Sequence, residues 1–313
     1  MLYAIQHTTK YRYSVPVTES FTEVRMQPRN DGLQRCLSFN LNIAPRSRIA
    51  NYRDYLGNQV HHFDIQGQHT QLTIKAVSVV EVLTPPVLPE SLAADVWQQL
   101  DATLSNDDFE MTLPSHFAQP TKLLVELAAK LNVSRARDPL TLLQTLNTAI
   151  YEEFEYAPQS TQVDSPIDEA ITARRGVCQD FAHIMTAMVR NIGIPCRYVS
   201  GYLFNQTDNP TRSAPDATHA WVETFLPELG WIGFDPTNNI LAGEQHIRTA
   251  IGRDYHDVPP TRGIYKGEAE SELSVAVKVA PSSSPLPDVE AVTIGITAPL
   301  PSDLSQQQQQ QQQ

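Results

Sequence analysis

An α+β fold with an antiparallel β-sandwich in front of it is what the sequence predicts, on three observations. Residues 1–84 alternate apolar and polar positions with a period of two, as half-buried strands do. From Leu92 to Asn191 the apolar spacing is helical, and strand-like runs return at Cys196. Helices first and an antiparallel sheet afterwards make an α+β layer arrangement rather than alternating βα units.

In the first segment Tyr3, Ile5, His7, Thr9, Tyr11 and Tyr13 share one strand face, and Thr22, Val24 and Met26 continue the pattern. Leu37, Phe39, Leu41 and Ile43 alternate with Ser38, Asn40 and Asn42. Turns at Asp54–Asn58 and Gln66–His69 bracket a strand over Gln59–Ile65, and Leu72–Val82 is a long strand rich in β-branched residues. Several short strands at this spacing suggest a small sandwich. The run Thr84-Pro85-Pro86-Val87-Leu88-Pro89 then breaks the pattern and marks a boundary.

Helices are expected over Leu92–Leu104, Pro120–Leu131 and Pro139–Phe154, the last with proline at a permitted helix start. A further helix begins at Cys178 and runs to about Asn191, where Gly193 ends it. Strands follow over Cys196–Phe204, His219–Leu226 and Trp231–Asp235, and a strand over Leu273–Val279 is expected to close this second sheet. From Pro281 the chain is rich in Pro and Ser and ends in Gln306–Gln313, which reads as a disordered tail in which Ala291–Ile296 could add one short strand. The expected organisation is a β-sandwich domain (1–84), an α+β domain (85–280) and a tail (281–313).

With 313 residues, 41% of them hydrophobic, the chain is long enough for two globular domains. A net charge of −12 and the lack of any basic run argue against a nucleic-acid partner, which needs clustered Lys and Arg. The amino-terminal residues do not read as a signal peptide, and no run of about 18 apolar residues occurs, so no membrane span is expected. Three cysteines, Cys36, Cys178 and Cys196, without a framework spacing point to free thiols and a cytoplasmic setting.

The chemistry is carried by three runs. Gly176-Val177-Cys178-Gln179-Asp180 puts a cysteine just after a glycine turn, at the first turn of a helix. Unpaired backbone N–H groups and the macrodipole there favour a thiolate. Thr218-His219-Ala220-Trp221-Val222-Glu223 places a histidine on a strand, with Trp221 and Glu223 on its face and Ala220, Val222 and Thr224 on the other. Gly230-Trp231-Ile232-Gly233-Phe234-Asp235-Pro236 ends the next strand in an aspartate. Nucleophile, base and orienting carboxylate are the parts of a thiol acyl-transfer site. Taken singly, each residue has a plainer reading: a packed thiol, a core histidine, a turn aspartate. Order, spacing and a shared sheet favour the combined reading.

Tyr156, after the third helix, and Gln179, beside the cysteine, are candidates for holding an oxyanion, and Trp221 for lining the cleft. Asp180 suits the first turn of a helix without a catalytic duty. Cys36 and Cys196 read as structural. His183 lies about 140° around the helix from Cys178 at 100° per residue and reads as a packing residue. Cys178, Cys196, His183 and His219 lack zinc-finger spacing and no EF-hand-type loop is present, so neither a metal nor an organic cofactor is expected.

The cysteine run through His183, together with Gly193-Ile194-Pro195-Cys196-Arg197-Tyr198-Val199-Ser200-Gly201-Tyr202, the histidine run and the aspartate run continued through Thr237-Asn238, resembles the transglutaminase-like superfamily. It is most similar to bacterial members regarded as candidate cysteine proteases, whose N-terminal β domain residues 1–84 resemble, including Asp54-Tyr55-Leu56-Gly57-Asn58. Gly252-Arg253-Asp254-Tyr255-His256-Asp257-Val258-Pro259-Pro260 looks like that group as well, and its Arg253-Asp254-Tyr255 segment would border the cleft. The resemblance implies a papain-like core and a Cys178–His219–Asp235 triad. One departure is Cys196, where similar proteins often carry alanine.

The expected function is a cysteine peptidase or amidase acting on a peptide or protein amide through a thioester on Cys178. Alternatives are a protein-glutamine transglutaminase with an amine acceptor, an acyltransferase using a thioester donor, and a scaffold without turnover. Substrate identity and oligomeric state are not legible.

Overall fold

A computed structural model describes residues 1–205, 212–213, 217–282 and 292–294. In chain order the elements are β1 (Leu2–Val24), β2 (Gln34–Ala44), β3 (Ala50–Arg53), β4 (Gln59–Ile65), β5 (His69–Val82), α1 (Val96–Thr103), α2 (Asn106–Glu110), α3 (Lys122–Lys130) and α4 (Pro139–Glu153). There follow β6 (Glu155–Tyr156), α5 (Ile167–Ala173), β7 (Arg175–Gly176), α6 (Cys178–Asn191), β8 (Cys196–Leu203), β9 (Thr218–Leu226) and β10 (Gly230–Asp235). Last come β11 (Ile240–Leu241), β12 (His246–Gly252), β13 (Thr261–Lys266), β14 (Ser271–Pro281) and β15 (Val292–Ile294).

The expected sandwich is one curled eight-stranded antiparallel sheet whose two layers share β1. The first half of β1 pairs with β5 and β14, from Tyr3↔Val80 and Tyr3↔Pro281 onward. Its second half pairs with β4 and β13, ending at Val24↔His61 and Val24↔Thr261. The change of partners falls at a register break between Arg12 and Val17, which contains Pro16. Proline lacks a ladder donor, so it sits in a strand where pairing is already interrupted. The alternating residues Tyr3, Ile5, His7, Thr9, Tyr11 and Tyr13 are all buried, against Phe63, Ile74, Leu273 and Val277.

The strand expected over Leu273–Val279 to close the second sheet belongs to the first instead, as β14 beside β1. Period-two alternation fixes which face a strand buries but not its neighbour, and Leu273, Val275 and Val277 fill the core of the curled sheet. Residues 261–281 therefore lie with residues 2–82 rather than with the helices. The strand foreseen near Ala291–Ile296 is β15, paired with β14. Of the rest of the expected tail, residues 283–291 and 295–313 lie outside the described residues.

The second sheet is antiparallel in the order β11-β10-β9-β8-β12. Helix α6 packs on one of its faces, against Ala220 and Val222, with α3, α4 and α5 on the helix's other sides. Residues Cys178 to Arg190 of α6 are all buried, which makes it the central helix of this layer. The short helices α2 and α5 were not expected; at five and seven residues they give too few turns for a periodic signal.

Strand β12 is the sheet's edge, and two side-chain amides of the first domain cover it. Gln34 donates to the Arg248 carbonyl and accepts the Arg248 N–H, both at 2.8 Å. Asn58 donates to the Ile251 carbonyl and accepts the Ile251 N–H, also at 2.8 Å. Each amide acts as a one-residue strand, which is a way of satisfying an edge without leaving it open. Deeper in the junction, buried His7 is hydrogen-bonded to Tyr202 at 3.0 Å and its imidazole is pushed down to about 3 by burial.

Gly201 on β8 is the close approach that this packing demands. A Cβ there would sit 2.1 Å from the Ile247 carbonyl oxygen and 2.7 Å from the Trp221 ring. Backbone and a fully buried indole cannot yield, so Gly201→Ala is expected to cost about 1–3 kcal/mol, read as a lower urea midpoint with an unchanged slope. An unaltered midpoint would show that β8 and β12 are not held this close.

Candidate active site

The turn into α6 is built around Asp180. Its carboxylate accepts the Val177 N–H at 2.8 Å and the Thr161 hydroxyl at 2.6 Å, capping the helix from its third position. Burial pushes this carboxyl up to about 6, against the opposing pull of those two hydrogen bonds. Gly176 makes room for it, since a Cβ there would lie 2.7 Å from the Asp180 oxygen. Cys178 is thereby fixed as the first residue of α6. Tyr156 flanks the turn, because β6 and β7 pair in parallel with Tyr156 opposite Gly176. Gln179 is engaged elsewhere, where its amide donates to the Val163 carbonyl at 2.7 Å and ties down that segment.

His219 lies near the start of β9 and Asp235 at the end of β10, which follows it after a tight turn with Glu228 and Gly230 at positive φ. His219 Nε2 meets Asp235 Oδ2 at 2.8 Å, and the ring is also hydrogen-bonded to Cys178. With Nε2 on Asp235, the sulfur's partner is Nδ1, which also lies 3.3 Å from the Ser213 hydroxyl. The three expected residues thus form one hydrogen-bonded run from sulfur to carboxylate. Burial alone would keep the His219 ring neutral. The Asp235 charge and hydrogen bond, followed by those of Cys178, outweigh it and raise the imidazole to about 10. Burial likewise opposes the Asp235 charge, but His219 and His246 hold that carboxyl well below the usual range.

The run is covered rather than open: Cys178 is 1% exposed, His219 2% and Asp235 0%. Trp221 is fully buried and stacks on His219 with ring centroids 6.0 Å apart. Its indole N–H has no hydrogen-bond partner among the described residues. With His246, Glu223 and Trp231 it lines a cavity of about 290 Å³ on the sheet face away from α6.

Three neighbours complete the surroundings of the run. Asn238 donates to Asp235 Oδ2 at 2.7 Å and to the Ser213 hydroxyl at 2.9 Å. His246, the first residue of β12, meets the same Asp235 oxygen at 3.2 Å. Asn238 closes the aspartate run of the sequence and has the turn spacing of an Asx-type contact, three residues after Asp235. Ser213 and His246 reach the site only through the fold. Away from it, His183 accepts the Tyr255 N–H at 3.2 Å and stacks on Phe117, so it is a packing residue held near 4 by burial. Cys196 is fully buried, and burial pushes its thiol up to about 11.

His219, Asp235 and His246 are also the group among the described residues whose possible ligand atoms lie within 4.8 Å of one another. Both imidazoles direct Nε2 at the carboxylate within hydrogen-bond distance, an arrangement of donors around an acceptor rather than of lone pairs around a cation.

The proton affinity of His219 makes stability depend on pH. Its folded value, about 10, exceeds its ordinary 6.5, so the stabilisation is complete below about 6.5 and is lost as pH rises through about 10. Asp235, lowered from 3.8, contributes stability that is present above that value and lost as pH falls. Urea unfolding should therefore show a fall in stability between pH 7 and pH 9.5 that Asp235→Asn flattens. An equal fall in both proteins would mean that the pair does not carry charge.

The description "Bacterial transglutaminase-like N-terminal region" matches residues 3–81, and "Transglutaminase-like superfamily" matches residues 126–236. An uncharacterized protein of Mycobacterium leprae is 34% identical over 276 residues, covering 88% of this chain and 97% of its own. A protein-glutamine gamma-glutamyltransferase of Pseudomonas aeruginosa is 30% identical over 167 residues, half of this chain and 25% of that enzyme. In fold, the chain is similar to a solved structure of a candidate cysteine protease from Cytophaga hutchinsonii, with a TM-score of 0.71, 21% identity and coverage of 97% and 95%. The chain belongs to the transglutaminase-like superfamily and carries a bacterial transglutaminase-like N-terminal region.

Proposed function

We propose that the protein is a cysteine peptidase or amidase in which Cys178, His219 and Asp235 perform thiol acyl transfer. The single observation that carries this reading is the hydrogen-bonded run from the Cys178 sulfur through His219 to Asp235 Oδ2. With the Cys178 proton already resting on His219 Nδ1, as the raised imidazole implies, the sulfur attacks the amide carbonyl carbon. His219 returns that proton to the leaving nitrogen as the C–N bond breaks, leaving a thioester and a free amine. Water then attacks the thioester while His219 takes its proton, and the C–S bond breaks to release the acid and restore the sulfur beside a protonated His219. Asp235 fixes the ring so that Nδ1 faces the sulfur, and it stabilises the imidazolium.

Developing negative charge on the carbonyl oxygen would fall near the N-terminus of α6, where backbone N–H groups and the helix dipole favour it. Tyr156, beside Gly176, is the proposed side-chain donor there. Because the sulfur is 1% exposed, a substrate carbonyl reaches it only as the groups covering it shift. The partner is a peptide or protein amide, and the cytoplasm is the proposed setting because all three cysteines are unpaired. No helix among the described residues is long and apolar enough to cross a membrane.

Transamidation is the second reading. It is favoured by the likeness to the Pseudomonas aeruginosa protein-glutamine gamma-glutamyltransferase, and it differs only in having an amine rather than water resolve the thioester.

Incubation with a pool of peptides and carboxamides, quenched in acid and weighed intact, should reveal an acyl adduct that maps to Cys178. Cys178→Ala should abolish the adduct, and His219→Ala should lower turnover by ~10⁴-fold or more, since triad members act as a unit. Asp235→Asn should retain roughly 10²-fold more activity than His219→Ala. A His219→Ala protein with most of the wild-type rate would remove the base from the mechanism. Adding a primary amine separates the two readings: a transamidated product selects the second.

A further inference from the structure

His246 stands in none of the three motif runs, yet it is the second imidazole on the carboxylate of the site. Its side chain is 2% exposed and is packed edge-on by the Trp221 indole, with ring centroids 5.1 Å apart at 72°. The Gly243 N–H points at His246 Nδ1 across 3.2 Å. A backbone N–H can only donate, so Nδ1 must accept and the ring proton resides on Nε2. That nitrogen lies 3.2 Å from Asp235 Oδ2, to which it therefore donates.

The same oxygen also receives His219 Nε2 at 2.8 Å and Asn238 Nδ2 at 2.7 Å. Asp235 Oδ1 is engaged separately, by the backbone N–H groups of Thr237 at 3.0 Å and Asn238 at 3.3 Å. Three donors on one oxygen divide its capacity to accept. Each added donor weakens the hold of Asp235 on any other, and also pins the carboxylate in the plane that His219 requires.

We propose that His246 is a positioning residue of this site: a neutral, fixed donor that sets the orientation of Asp235 and moderates how strongly Asp235 grips His219. The role explains why β12 is held on both sides. Residue 246 is opposite Leu203 of β8, and the side-chain amides of Gln34 and Asn58 fasten the rest of the strand to the first domain. The first domain thereby acts on the site through the strand that carries His246. For turnover the proposal rests on the thiol-enzyme reading, but the arrangement itself can be tested without substrate.

The test is nitrogen-15 NMR of the full chain labelled at histidine. In the unaltered protein, His246 should appear as the neutral tautomer protonated at Nε2. The His219 Nε2–H signal should lie downfield through its bond to Asp235. In His246→Leu, with one competing donor gone, the His219 signal should move further downfield. His246→Gln, whose amide can donate again, should return it toward the unaltered position. A His246 proton found on Nδ1 overturns the proposal, and that reading needs no variant to fold. So does a folded His246→Leu protein with an unmoved His219 signal, since a residue that merely fills space would leave it there. Absence of any amide-cleaving activity would count against the proposed function and leave these spectra unchanged.

Discussion

A carboxylate with no solvent contact stays ionised only if protein donors take the place of water, and Asp235 has five of them. Two come from the turn that follows it, one from the Asn238 side chain and two from imidazoles on β9 and β12. Nearly every feature of the second domain can be traced to assembling that set. The turn between β9 and β10 brings His219 beside Asp235, and the Asx-type turn after Asp235 supplies the backbone donors. The packing of α6 on the sheet brings the sulfur to the far side of the His219 ring. A buried charge with these partners strengthens the charged imidazole, and it would be costly if any partner were removed.

The first domain is joined to this arrangement by specific polar contacts rather than by apolar surface alone. Two amides complete the edge of β12, and buried His7 meets Tyr202 of β8. Tyr202 and Ile247 of the second sheet contribute to the apolar core of the first domain. A chain whose last long strand, β14, returns to pair with its first cannot complete the first sheet until the second domain's chain has been traversed. The two parts are therefore a single construction in topology as well as in contact.

Much of the site was legible because each of its main residues is announced locally. A glycine followed by a helical apolar pattern marks the helix start that holds Cys178. Alternation through Ala220 and Val222 assigns His219 and Trp221 to one face of β9, as the stacking of their rings bears out. A strand ending in Asp-Pro marks the turn at Asp235. What was not legible depends on neighbours distant in sequence. Periodicity could not tell that Leu273–Val279 would join the first sheet, or that β1 would serve both of its layers. Nor could it tell that His246 would aim at Asp235, because nothing about a lone histidine at a strand start specifies which carboxylate lies across the sheet. Gln179 illustrates the reverse case, since proximity in sequence to Cys178 suggested an oxyanion donor while packing gave its amide to Val163. Burial of the sulfur was equally beyond reach, because exposure is decided by which segments pass over a residue.

The central claim is that one of three thiols is activated by an imidazole held against a buried carboxylate. Competitive alkylation tests it most directly: brief exposure to iodoacetamide between pH 6 and 7, followed by peptide mass analysis. Cys36 and Cys196 are both raised by burial and offer little thiolate in that range. Cys178 should therefore be modified first, and His219→Ala should remove its advantage. Slow and equal labelling of all three cysteines, or preference for Cys178 that survives loss of His219, would contradict the account.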